Sequence, residues 1–193
     1  ASLTAQAFAG RLANVLQVTH SSLDRDNFDG AVLTSANQGE RTGYRYSGDA
    51  PIADGHRLGF GVEHEESEAN DEDARTSSVF VLYEWSPIAT LTLTGGLRYD
   101  DDDRYGSETT GKAAASWRIS GAVRLRATWG QGFKAPTIFQ STFICGFCGL
   151  TAPNPNLKAE TSEAYDMGVD LLFARGGISL TAFHQETENL IDD

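Results

Sequence analysis

No stretch of this chain offers the run of about 18 apolar residues that a membrane-crossing helix requires. Passage through a bilayer by helices is therefore excluded. Cysteine is almost absent: Cys145 and Cys148, both in one CGFC, are the only two in 193 residues. Two thiols without a neighbouring histidine cannot close a local four-ligand zinc site. They leave a local disulfide, which would imply an oxidising compartment, or a thioredoxin-like redox pair. The second needs a βαβ setting that is not visible, so the disulfide is the expectation. Basic residues are scarce as well. Lys and Arg number 15 against 27 Asp and Glu, a formal net charge of -12. Phosphate recognition needs clustered Lys and Arg, so nucleic acid is not an expected partner. The sequence as given opens without a basic, apolar leader, as a mature or excised segment would.

Catalytic groupings are also lacking. The histidines His20, His56, His64 and His184 stand near no serine in a nucleophile elbow and form no HExxH or CxH grouping. His64 between Glu63 and Glu65 is the one arrangement that a barrel enzyme would have to use. The chain is not expected to be an enzyme.

What is present is alternation. With 20 glycines, 3 tryptophans, 6 tyrosines and 10 phenylalanines, the chain reads as strand nearly throughout. Val123, Leu125, Ala127, Trp129 and Phe133 fall on one side of a period-two pattern, with Gln131 the exception. Arg124, Arg126, Thr128, Gly130, Gly132 and Lys134 fall on the other. The same separation recurs for Val79, Val81, Tyr83 and Trp85, for Leu91, Leu93, Leu97 and Tyr99, for Ala113, Ala115, Trp117 and Ile119, and for Tyr165, Met167, Val169, Leu171 and Phe173. About nine strands are expected, starting near Leu12, Arg41, His56, Ser78, Thr90, Lys112, Ala122, Thr161 and Ile178.

Alternation alone does not say which face meets a core. Three features favour an antiparallel transmembrane β-barrel segment. Several strands outrun the globular average of about 5–6 residues. Connections alternate between tight turns (Ser86 to Ile88, Ser120-Gly121, Arg175 to Gly177) and long polar or glycine-rich loops at Glu65 to Ser77, Asp100 to Thr110 and Lys134 to Glu160. Aromatics mark both ends of the apolar face: Trp85, Trp117 and Phe173 beside the short turns, and Tyr99, Phe133 and Tyr165 toward the long loops. Rings with one polar edge settle at headgroup level, which explains two girdles. Outer-membrane lipid is thus the expected surrounding. Nine strands do not close, because an open edge in lipid leaves backbone groups unsatisfied. Either the count conceals a small closed barrel or the chain is part of a larger one.

The segment from Leu125 to Glu163 bears on that choice. It carries GFKAP (Gly132, Phe133, Lys134, Ala135, Pro136) and, a loop later, NPNLKAE with Asn154, Pro155, Leu157 and Glu160. GFKAP followed at loop distance by NPNLKAE resembles the late barrel of TonB-dependent outer-membrane receptors, of siderophore or vitamin B12 type. GGLRYDDDD upstream and FHQETENLI at the end look like neighbouring strands of that family. The resemblance covers roughly residues 57–193. Two positions depart from the family pattern, Ala159 in place of proline and Asp166 in place of glutamate.

The resemblance implies a 22-stranded barrel filled by an N-terminal plug. It makes residues 1–193 a partial receptor barrel domain, with plug and barrel-closing strands not recognisable in it. The implied function is energy-coupled uptake of a ferric siderophore or cobalamin-like ligand, coupled to TonB through that plug. Long loops would be extracellular and short turns periplasmic, at a Gram-negative outer membrane. Ligand contacts are expected from the loop aromatics Phe139, Phe143 and Phe147, stiffened by Cys145 and Cys148. The aspartate run suggests a Ca²⁺ site at Asp101 and Asp103, since consecutive residues on a strand point to opposite sides and two of the four can converge. No resident cofactor is otherwise required. The inner row Arg45, Arg98, Arg118, Arg124, Arg126 and Lys134 is expected to face Glu63, Glu84, Asp166 and Asp170. Two other classes remain open at this level: a small self-contained outer-membrane barrel of structural or adhesive role, and a soluble acidic Ca²⁺-binding β-protein.

Overall fold

The computed structural model describes residues 1–69, 72–142 and 157–191. Its ten strands are β1 (Ser2–Ala7), β2 (Leu12–Asp29), β3 (Val32–Ala53), β4 (His56–Ala69), β5 (Glu72–Ile88), β6 (Leu91–Asp102), β7 (Gly106–Arg118), β8 (Val123–Lys134), β9 (Glu160–Phe173) and β10 (Gly176–Glu188). They form one antiparallel meander in sequence order. The strand added to the expected nine is β1, whose six residues pair with β2 from Ser2 opposite Gln17 to Ala7 opposite Leu12. Its alternation is weak because Thr4 and Gln6 stand among small residues. β1 and β10 do not pair, so the sheet is open.

The long connections are not all loops. The expected loop at Asp100 to Thr110 is a continuation of β6 and β7 around the three residues Asp103, Arg104 and Tyr105. The aspartates that suggested a solvated loop instead build the turn. Asp102 Oδ1 accepts from the backbone N–H of Arg104 and of Tyr105, each at 3.0 Å, and Gly106 supplies the positive φ of 81° that closes the turn. The acidic run from Glu63 to Glu68 likewise lies on β4, where Arg41, Arg45 and Arg75 on the flanking strands neutralise it. Cross-strand opposite charges stabilise a ladder, so polarity here does not mean loop.

The asymmetry between the two ends of the sheet is therefore mainly one of strand length. On the short-turn side, Asp54-Gly55 joins β3 to β4, with Gly55 at φ 72°. A Cβ on Gly55 would meet the carbonyl oxygen of Ser86 at 2.6 Å. On the other side β3 runs for 22 residues, whereas about 9–11 tilted residues cross a bilayer. The β2–β3 and β4–β5 hairpins thus overrun the apolar band on one side only.

Curvature follows from the segment after β8. Pro136 and Ile138 are buried, and the five-residue helix α1 (Ile138–Thr142) touches β4 and β5. Thr137 and Gln140 cap it reciprocally: the Thr137 N–H donates to Gln140 Oε1 at 3.1 Å, and the Gln140 N–H donates to Thr137 Oγ1 at 3.2 Å. Three strands, β5, β6 and β7, separate β8 from β4 in the sheet. A chain leaving β8 reaches β4 this quickly only if the sheet curls, with the charged face inward.

The apolar residues accordingly face out. Leu97, Met167 and Leu180 are 60%, 68% and 69% exposed, while the largest buried polar groups are Asp100, Asp102 and Asp170. That is an inside-out distribution relative to a soluble core. Of the girdle residues expected from the sequence, Trp85, Trp117 and Phe173 at one end and Tyr99 and Tyr165 at the other lie on this exposed face, whereas Phe133 is half-buried. His56 joins the short-turn girdle, stacked on Tyr83 and Trp85 with ring centroids 5.9 and 6.2 Å away.

Candidate functional site

The inner wall carries the polar chemistry, and the register explains how. Arg45 stands opposite Glu63, Glu63 opposite Ser78, and Ser78 opposite Asp100. Side chains alternate along each strand, so all four project from one face. Glu63 receives Arg45 Nη1 at 2.9 Å and Arg98 Nη1 at 2.7 Å. Arg98 Nε then donates to both oxygens of Asp100, at 2.9 and 3.0 Å. Ser78 Oγ donates to Asp100 Oδ1 at 2.6 Å and accepts from Arg98 Nη2 at 2.9 Å. The Arg45 guanidinium also sits 5.2 Å over the Phe80 ring. This network is charge-balanced and geometrically complete.

Nearer the short turns, Asp170 accepts from Arg126 Nε at 3.1 Å and Ser179 Oγ at 2.8 Å, and Arg124 Nε lies 3.2 Å from its carboxylate. Arg57 Nε donates to Asp49 at 2.7 Å. Asp166 meets Thr128. Of the expected row of inner charges, Arg45, Arg98, Arg124, Arg126 and Lys134 are in ion pairs, with Glu63 and Asp170 among their partners, while Arg118 and Glu84 form none among the described residues. Asp100 shares the inner face with Arg98, as their parity on one strand requires, and Asp49 and Glu160 are carboxylates that sequence reading did not place there.

The GFKAP and NPNLKAE motifs meet across the β8–β9 ladder. Lys134 stands opposite Glu160 and its ammonium lies 3.5 Å from the carboxylate. Glu160 also accepts the Ile191 N–H at 2.8 Å. Gly132 faces Ser162, whose Oγ would lie 2.6 Å from an added Cβ, so glycine here allows close strand approach. Phe133 pairs with Thr161. Ala135 and Pro136 begin the inward crossing, and Leu157 is half-buried before β9. Asn154 and Pro155 lie outside the described residues.

Among the loop aromatics, Phe139 lines a cleft of about 480 Å³ with Arg41, Glu65, Thr76 and Asp102. In this cleft Arg41 Nε lies 3.4 Å from Glu65. An aromatic face beside a cation and hydrogen-bonding oxygens suits a polar ligand with a flat ring system. Phe143, Phe147, Cys145 and Cys148 lie outside the described residues. Of the aspartates expected to hold Ca²⁺, Asp101 projects from the exposed face and Asp103 accepts the Arg75 N–H at 3.0 Å. Among the described residues no group of three or more His, Cys, Asp or Glu converges.

Comparison with known proteins places this geometry. The β-barrel model described as TonB dependent receptor-like matches residues 4–193. The vitamin B12 transporter BtuB of Photobacterium profundum is 29% identical over 190 residues, covering 94% of this chain and 30% of that protein. The iron-regulated outer membrane virulence protein of Vibrio cholerae is 32% identical over 159 residues, covering 74% of this chain and 24% of its own length. A mutant ferric enterobactin receptor of Pseudomonas aeruginosa, solved with enterobactin, superposes at a TM-score of 0.81 with 19% identity, over 96% of this chain and 34% of that one. The chain thus spans less than a third of either sequence relative. The match over nearly its whole length, with the motif pair joined by an ion pair on adjacent strands, shows that this chain belongs to the TonB-dependent receptor β-barrel family.

Proposed function

We propose that this chain forms part of the barrel wall of an outer-membrane receptor that takes up a metal chelate or corrinoid by energy coupling through TonB. The observation that carries this reading is the inside-out sheet. It has an apolar, aromatic-bordered outer face and a charged, hydrogen-bonded inner face, which is the arrangement lipid outside and a filled lumen inside require. In this reading the plug and the barrel-closing strands lie outside these residues. The overrunning strands and the Phe139 cleft face the extracellular side, and the short turns face the periplasm.

Ligand capture then falls to the cleft and the loop that follows α1, with Phe139, Phe143 and Phe147 as the aromatic surfaces. A disulfide between Cys145 and Cys148 would hold that loop and lower its ordering cost on binding. The receptor needs no resident cofactor. A Ca²⁺ ion at Asp101 and Asp103 would require further oxygens, since two carboxylates supply at most four of the six to eight that Ca²⁺ takes.

Uptake decides the matter. Cells expressing the complete receptor are expected to accumulate either a radiolabelled ferric siderophore or labelled cobalamin, and to lose uptake when TonB is deleted. Uptake of neither ligand class, or uptake independent of TonB, would overturn the proposal. A small self-contained adhesin would predict the first of these outcomes.

A further inference from the structure

The ion pairs of the inner wall are not evenly balanced at its short-turn rim. Over β3 to β5, Arg57 is set against two carboxylates: Asp49, bonded to it, and Glu84, directly opposite in register. Over β7 to β9 the ratio reverses. Arg118 stands directly opposite Arg124, Arg126 follows on the same face, and Asp170 is the one carboxylate that Arg124 and Arg126 share. Arg118 forms no ion pair among the described residues, and it is itself exposed. Like charges directly opposed across a ladder are destabilising. The rim therefore holds a cationic patch of three guanidinium groups around one buried carboxylate.

Neighbouring wall cannot supply the missing anion. A strand added beyond β10 would stand three strand spacings from β8, about 14 Å away, and Arg126 already reaches β10 through Thr181 at 3.0 Å. The groups that can approach Arg118 and Arg124 come from within the lumen. Guanidinium forks select carboxylates by paired hydrogen bonds.

We infer that Arg118, Arg124 and Arg126 form a docking site for a carboxylate-bearing segment of the plug, held against the short-turn end of the inner wall. This rests on the receptor reading above, which places a plug in the lumen. It adds where on this wall the plug is clamped and by what chemistry. The acidic Asp49 and Glu84 side of the same rim fixes the orientation, because an acidic segment is attracted to one side and repelled from the other.

Zero-length carbodiimide coupling tests this in the complete receptor. The reagent activates a carboxylate, a contacting lysine amine displaces the activating group as a urea, and an amide remains. Arg118→Lys and, as a second variant, Arg124→Lys each keep the positive charge while introducing the reactive amine. Lys112 on the same inner face serves as an internal reference. The expected result is cross-linked peptides joining position 118 or 124 to Asp or Glu residues of the plug. Their yield should fall several-fold near 1 M salt, where the screening length is about 3 Å. If Lys112 couples to the plug while positions 118 and 124 couple only to Asp170 or not at all, the docking site is refuted and the receptor reading stands. If no inner-face lysine couples to anything outside the barrel in either variant, both fall. A heat-dependent gel shift of each variant checks that the barrel is closed and folded.

Discussion

Ala113 and Ala114 are adjacent on β7, yet they face opposite surroundings, and exchanging each for arginine separates a lipid-facing wall from any soluble arrangement. Ala113 lies midway along the outer face between Trp117 and Thr109, the residue opposite Tyr99 of the other girdle. Four residues at about 3.4 Å each, tilted about 40°, place it roughly 10 Å from either girdle, near the centre of a ~25 Å apolar band. An arginine at that depth costs about 2–4 kcal/mol. At ~1.4 kcal/mol per tenfold, this reduces the folding equilibrium by about 30-fold to several hundred-fold. Ala114 projects inward, opposite Thr94 and Thr128, where a guanidinium stays hydrated, so Ala114→Arg should cost less than about 1 kcal/mol. Urea titration of the complete receptor in phosphatidylcholine vesicles, followed by tryptophan fluorescence and the heat-dependent gel shift, measures both. Equal losses, or a larger loss at Ala114, would refute the assignment of faces. Full folding of both variants in plain buffer without lipid or detergent would refute the membrane reading itself.

Further outcomes follow from the packing. A Cβ at Gly61 would stand 2.5 Å from the Tyr46 carbonyl oxygen and from the Phe80 ring, so Gly61→Val should destabilise by about 1–3 kcal/mol in the same titration, and an unchanged midpoint would contradict the close approach. Removing the Ser78 hydroxyl leaves Asp100 and Arg98 short of one partner, so Ser78→Ala should cost about 1 kcal/mol, whereas a stabilised variant would mean that the network is strained. Ile138→Ala should release α1 from β4 and β5 at a cost of about 2 kcal/mol, seen as faster proteolysis near residue 138 with the strands still protected; unchanged cleavage would show that the crossing is held by other contacts. Phe139→Ala should weaken binding of the transported ligand about tenfold if the ring stacks on it, measured by equilibrium binding to the complete receptor.

Much of this protein was legible before its structure. Period-two alternation fixed both faces of β5 to β9, because a strand has no other way to sort its side chains. The acidic net charge argued against nucleic acid, and the girdle positions pointed to lipid. GFKAP and NPNLKAE carried the family, and their meaning is local: Lys134 and Glu160 face each other as soon as β8 and β9 pair.

Tertiary structure decided what depends on partners distant in sequence. Polar runs such as Glu63 to Glu68 and Asp100 to Asp103 read as loops in isolation, since nothing local shows that Arg45, Arg75 or Ser78 will stand across the ladder from them. Strand β1 needed the edge of β2 to exist as a strand, its own pattern being too weak. The inward crossing of Ala135 to Thr142 depends on the curl of the whole sheet, which brings β4 and β5 within reach of α1. The unequal sharing of Asp170 among arginines is likewise invisible along the chain. Parity says that Arg118, Arg124 and Arg126 share a face; only the register puts two of them directly opposite each other and leaves one carboxylate among the three.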